Sequence, residues 1–171
     1  AVVSTTLHSE SAAFGRETGT ALRLLGSRVV CDGKSASLTA PNGQAQQALL
    51  RAALGASGLT DGLDLLEAHG TGTPLGDPIE MRALFESVYA NRSADARPLP
   101  LGAVKASVGH TEVAAGAVGL LKLASCLQWR EAAPIAGLRT VNPMIASAMP
   151  AGCELPLSPS KLAQGPVAGG V

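Results

Sequence analysis

LDLLEAHGTGTPLGDPIE, Leu63 to Glu80, and PLPLGAVKASVGHTEVAAGAVGLLKL, Pro98 to Leu123, carry one pattern twice. Each passes from an apolar run of strand length into a turn, and from the turn into a helical pattern. Each sets a histidine, His69 or His110, at the mouth of its turn. The chain has three histidines, so two of them hold matching places in matching units. Short apolar runs bounded by turn signals read as buried strands, here Leu63 to Ala68 and Leu99 to Val104. Two βα units in succession predict parallel strands with helices packed on them. Sites in such sheets form at the carboxyl ends of strands, where both histidines fall. The two rings meet if the strands are neighbours.

Working outward, Asp77 is placed to cap a helix that starts near Pro78 and runs to about Ala90. Thr111 is placed to cap a long small-residue helix from Glu112 to about Trp129. Upstream, Gln44 to Leu54 shows helical spacing, with Gly55 and Gly58 to end it. Asp32-Gly33 and Asn42-Gly43 read as turns within a loop from Cys31 to Gly43. Ala1 to Thr6 reads as a strand, Leu7 to Gly19 as a connection, and Ala21 to Val30 as a strand bent or bulged at Gly26. Downstream, prolines from Pro134 to Pro159 break any long element. A short strand is expected near Glu154 to Leu157, and Gly165 to Val171 reads as a flexible end in which a strand could be starting. Both ends of the chain look cut.

Hydrophobic residues make up 46% of the 171, but aromatics only 2%. The core is therefore built from Ala, Leu and Val, which suits close packing of helix on sheet. Thirteen basic residues balance thirteen acidic ones, and no charge run stands out. Nucleic acid and anionic membrane surfaces are thus poor partners. Cys31, Cys126 and Cys153 form neither a disulfide framework nor a metal-ligand spacing, which fits a reducing, cytoplasmic setting. No apolar run approaches a membrane span.

The start of a helix disfavours protonated imidazole, so His110 suits a neutral donor role. Gly70 and Gly72 let the His69 loop approach a ligand closely. Two neutral donors converging on one point make an oxyanion site fit for an enolate. Lys105, joined to Asp77 and Glu80, would tie the two loops and orient His110. Plainer readings stand beside these. Either histidine can be a structural loop residue, Lys105 a solvated one, and Asp77 only a cap. Thr71 and Thr73 can bond their own loop. His69, His110, Asp77 and Glu80 are metal-compatible side chains, but their spacing matches no metal motif.

EAHGTGTPLGDPIE together with VKASVGHTEVAAGAVGLLKL resembles the β-ketoacyl synthase family, in particular the ketosynthase domains of modular (type I) polyketide and fatty-acid synthases. DGKSASLTAPNGQAQQALLRAAL, Asp32 to Leu54, resembles the segment before the first histidine motif. The resemblance implies a thiolase-like, layered α/β/α/β/α fold of two pseudo-symmetric halves. Residues 1–171 would be a partial ketosynthase domain, most of the C-terminal half with a mixed, largely parallel sheet, truncated at both ends. It implies a decarboxylative Claisen condensation between an acyl group held on cysteine and a malonyl-type extender. The extender rides on the phosphopantetheine of an acyl carrier protein, and the parent is a homodimer. His69 and His110 match the two family histidines, and Lys105 matches the family lysine. Thr71 and Thr73 match threonines that contact the pantetheine arm; Asp77 and Glu80 match acidic residues near the lysine. The family's nucleophile motif, DTACSSS-like, does not occur in this sequence, and Cys31 stands where relatives carry a polar residue. The chain alone is therefore expected not to condense. Gly119 stands where some stand-alone relatives carry glutamate, which favours the multidomain type. A non-catalytic ketosynthase-like lobe, serving dimerisation or carrier-protein docking, is the alternative.

Overall fold

The computed structural model describes residues 2–11, 20–31, 41–59, 62–93 and 95–171. Two strands open it, β1 (Val2–Ser11) and β2 (Thr20–Val30), then helix α1 (Gly43–Ser57). The first histidine unit supplies β3 (Leu65–Glu67) and α2 (Gly76–Ser87). The second supplies β4 (Leu99–Gly102), a one-turn helix α3 (Lys105–Val108) and α4 (Ala115–Trp129). Short elements follow: β5 (Glu131–Ala132), α5 (Pro143–Ala146), β6 (Cys153–Glu154), β7 (Ser160–Lys161) and β8 (Ala168–Gly170).

Six strands form one mixed sheet in the order β2-β1-β8-β3-β4-β6. β8, β3, β4 and β6 run parallel, while β1 pairs antiparallel with both β2 and β8. β3 and β4 are adjacent, as the doubled unit requires. Alternation along β3 divides the core. Leu66 faces α1 and α2, with Met81, Leu84, Phe85, Leu99 and Leu101. Leu65 faces α4, with Leu123, Cys126 and Leu127. The sheet is thus covered on both faces, in a layered α/β/α arrangement.

Several boundaries differ from the sequence reading. β1 continues through Ser11, so Leu7 to Ser11 is strand and not connection. A register shift opposite Gly26 leaves Leu25 unpaired, which is the expected bulge. Asn42 caps α1, its side chain accepting the N–H groups of Gln44 and Ala45, so Asn42-Gly43 is a helix start and not a turn. Gly55 lies within α1, and Gly58, at φ 72°, ends it. Asp32-Gly33 lies outside the described residues. The short strand near Glu154 forms one residue early, as β6.

At the C-terminal end, read as flexible with room for the start of a strand, Ala168–Gly170 form β8, buried between β1 and β3. A Cβ added at Gly169 would stand 2.6 Å from Leu123 Cδ1 and 3.0 Å from Leu65 O. The strand is glycine-rich because α4 and the neighbouring strand press on it. Gly169→Val should therefore destabilise the protein by about 1–3 kcal/mol, the usual range for overpacking. The midpoint of urea unfolding reads this directly, and an unchanged midpoint would refute the close-packing account.

Candidate active site

His69 follows β3 and His110 follows the α3 turn, both beyond the carboxyl ends of adjacent parallel strands. Their ring centroids are 5.6 Å apart and the rings are perpendicular. Ala68 N–H donates to Gly102 O at 2.8 Å, which carries the β3–β4 ladder up to the residue before His69. Both histidines reach solvent, and the His69 ring is partly enclosed by its neighbours.

Each ring is oriented through Nδ1. Lys105 Nζ donates to the backbone carbonyl of His69 and lies 3.3 Å from its Nδ1. Glu112 N–H donates to His110 Nδ1 at 3.1 Å. A ring nitrogen that accepts a hydrogen bond carries no proton, so in the neutral ring the proton sits on Nε2. Both side chains therefore present an Nε2–H. Burial, the Lys105 ammonium and the neighbouring His110 hold the His69 pKa below its usual 6.5, against a weaker opposing pull from Asp77. Neutral imidazole is thus the favoured form of His69 at neutral pH.

The acidic residues serve the backbone of the first loop. Gly70 and Gly72 take φ values of 48° and 77°, a region that suits glycine. Glu80 accepts His69 N–H at 2.6 Å and Gly70 N–H at 2.8 Å, one on each carboxylate oxygen. Burial holds the Glu80 pKa above the usual carboxylate value, with these two backbone bonds opposing it only in part. Asp77 accepts Gly72 N–H at 3.0 Å.

Three expectations change here. Asp77 is not the cap of α2: the N-cap position is Leu75, without a side-chain bond, and Asp77 reaches backwards from the first turn. Lys105 does tie the two loops, but through His69 and not through Asp77 or Glu80; both Glu80 oxygens and Asp77 Oδ1 accept backbone N–H groups instead. It does not orient His110, which is held by the backbone of Glu112. Thr111 makes no cap either. A 3-10 turn, Glu112–Ala114, precedes α4, Glu112 has φ 51°, and the Thr111 hydroxyl is buried without a hydrogen-bond partner among the described residues.

Thr73 and Thr71 lie beside Gly76, and Thr73 Oγ1 accepts Gly76 N–H at 3.0 Å. The loop-bonding reading thus holds for Thr73, whose hydroxyl proton remains free to be donated. Among the described residues, no group of three or more His, Cys, Asp or Glu side chains is arranged to hold a metal ion. Cys126 and Cys153 are buried in the two cores and Cys31 is exposed. No helix among the described residues is long and apolar enough to cross a membrane.

Sequence reading missed Glu67 and Lys122. The Glu67 side chain is fully buried beneath the His69 loop and bonds Lys122 Nζ at 2.5 Å. Its signal was a carboxylate directly after Leu65 and Leu66 in a run read as a buried strand, since buried acids are almost always paired.

A model of the β-ketoacyl synthase C-terminal domain matches residues 22–139. Erythronolide synthase EryA2 of Saccharopolyspora erythraea is 49% identical over 121 residues, 70% of this chain and 3% of that protein. The oxazolomycin ketosynthase domain OzmH KS7 of Streptomyces albus JA3453 is similar in structure with a TM-score of 0.70 at 32% identity, covering 82% of this chain and 25% of that one. Ketosynthase twelve of the bacillaene polyketide synthase of Bacillus amyloliquefaciens gives a TM-score of 0.72 at 30% identity, covering 84% and 26%. The chain thus spans a small part of the curated synthase and about a quarter of each ketosynthase structure.

Proposed function

This chain belongs to the β-ketoacyl synthase C-terminal domain family, and we propose that its two histidine loops form the decarboxylation half of a polyketide ketosynthase site. One observation carries the reading. Two imidazoles with centroids 5.6 Å apart each accept a hydrogen bond at Nδ1, which leaves the proton of each neutral ring on Nε2.

In the proposed reaction, a malonyl-type thioester loses its carboxylate as carbon dioxide. The electrons of the broken carbon–carbon bond form an enolate, whose negative charge rests on the thioester oxygen. His69 and His110 are the catalytic residues that donate to that oxygen. Fixed donors aimed at developing charge are the largest single source of such stabilisation. The enolate carbon then attacks the acyl thioester, and the cysteine thiolate leaves. That cysteine is none of Cys31, Cys126 and Cys153 in this reading; it belongs to the other half of the domain, so these residues alone do not condense.

Thr73, with a hydroxyl proton to donate, and Thr71 beside it are assigned to the pantetheine arm. Glu80 and Asp77 hold the shape of the loop. The reading brings an acyl carrier protein as partner and a homodimeric, cytoplasmic parent. The relatives named above favour polyketide over fatty-acid products. The test is carbon dioxide release from a malonyl thioester on carrier protein, measured in the full-length protein apart from carbon–carbon bond formation. Release that depends on His69 and His110 is expected. A folded protein that takes up the acyl chain without any release would instead favour a non-catalytic lobe.

A further inference from the structure

Glu67 stands at the end of β3, opposite Gly102 in the register, and points to the α4 face of the sheet. One carboxylate oxygen meets Lys122 Nζ at 2.5 Å; the other accepts the N–H of Val104 at 2.5 Å. Val104 is the N-cap residue of α3, whose first residue is Lys105. Gly102 makes the space: a Cβ there would collide with both Lys122 Nζ and the Glu67 carboxylate. The ion pair is therefore a built feature, seated between strand and helix directly behind the two loops.

We propose that the Glu67–Lys122 pair is a positioning device that fixes where α3 begins, and so sets Lys105 against His69. The inference rests on the decarboxylation reading above and names residues for that same site. Lys122 orients the carboxylate so that its second oxygen meets Val104 N–H. That bond anchors the backbone immediately before Lys105. Lys105 in turn holds the His69 carbonyl and Nδ1. Glu67 is itself two residues before His69, so one side chain sets the offset between both loops.

The charged and titratable groups facing His69 are Lys105, His110 and Asp77, with Glu80 on its backbone. Loosening Lys105 removes one of the influences that hold the His69 pKa down. The experiment uses the full-length protein with Glu67→Met/Lys122→Met, an apolar pair of similar volume. Replacing a buried ion pair in this way is often neutral for stability. Site-resolved acylation of His69 by diethyl pyrocarbonate, followed against pH by peptide mass spectrometry, reads the neutral ring without any turnover. Backbone hydrogen exchange across 103–109 reads the anchor at Val104.

The folded double variant is expected to titrate His69 at higher pH, to exchange at least tenfold faster across 103–109, and to release carbon dioxide at least tenfold more slowly. Lys122→Met alone keeps the acceptor but loses its orienting cation, and should shift all three readouts less and with the same sign. Wild-type acylation and exchange in both folded variants overturns the proposal. So does loss of folding in both, which would make the pair structural only. If the wild type releases no carbon dioxide yet His69 acylation responds to these variants, the decarboxylation reading fails and the positioning role stands.

Discussion

Replacing His110 with Ala lowers carbon dioxide release from a malonyl thioester by about 10²–10³-fold, the loss seen when one preorganised oxyanion donor is removed. His69→Ala gives a loss of the same order. In the proposed site neither ring replaces the other, because the two sit on different loops with their planes perpendicular. The double replacement should cost less than the product of the single losses, since residues that act as one unit are not additive. Condensation falls with decarboxylation, because the enolate is the carbon nucleophile. Neither variant should lose much stability: both side chains are exposed, the His69 loop is held by Glu80 and Asp77, and His110→Ala gives up one exposed bond, from Glu112 N–H to the ring. The measurement is single-turnover release in the full-length protein, with thermal unfolding as a control for folding. Retention of both activities in both variants sinks the assignment.

Much of the scaffold was legible because it rests on local rules. Leu65 and Leu66 read as a buried strand, and the structure gives each to a different core. Two successive βα units put His69 and His110 at the carboxyl ends of two parallel strands, and the rings meet because those strands, β3 and β4, are neighbours. What escaped was set by tertiary contact. GPVAGGV has poor strand propensity, yet the pressure of Leu123 and Leu65 makes glycine the residue that fits there. Opposite charge suggested that Lys105 would meet Asp77 or Glu80. Those carboxylates instead satisfy N–H groups of a loop with few other partners, and the lysine turns to a carbonyl and a ring nitrogen. Thr111 looked like a cap, but the chain enters α4 through a 3-10 turn with Glu112 in a left-handed conformation. Glu67 was hidden by its neighbours, since the leucines of LDLLEA mark a buried run without showing what its carboxylates pair with.

Lys105→Met shows how the lysine acts on His69. The side chain makes two contacts there, one to the carbonyl and one to Nδ1. Methionine keeps most of the apolar stem and loses both contacts. The proton of His69 is then free to move to Nδ1, and the fraction of rings presenting Nε2–H falls. The resulting loss in carbon dioxide release is bounded by that for removing the donor altogether, about 10²–10³-fold. The pH profile separates this from simple loss of packing. In the wild type the His69 pKa lies below 6.5, so the neutral donor persists as pH falls to 6.5 and is lost only beneath it. The Lys105 charge is one of the causes of that depression, second to burial. Without it the pKa rises, protonation begins at higher pH, and the acid limb of the rate profile moves upward. Lys105→Arg keeps the charge but changes its shape, so it should hold the acid limb near wild type while recovering only part of the rate. A Lys105→Met profile with lowered rate and an unmoved acid limb would mean that the ammonium acts elsewhere than on His69.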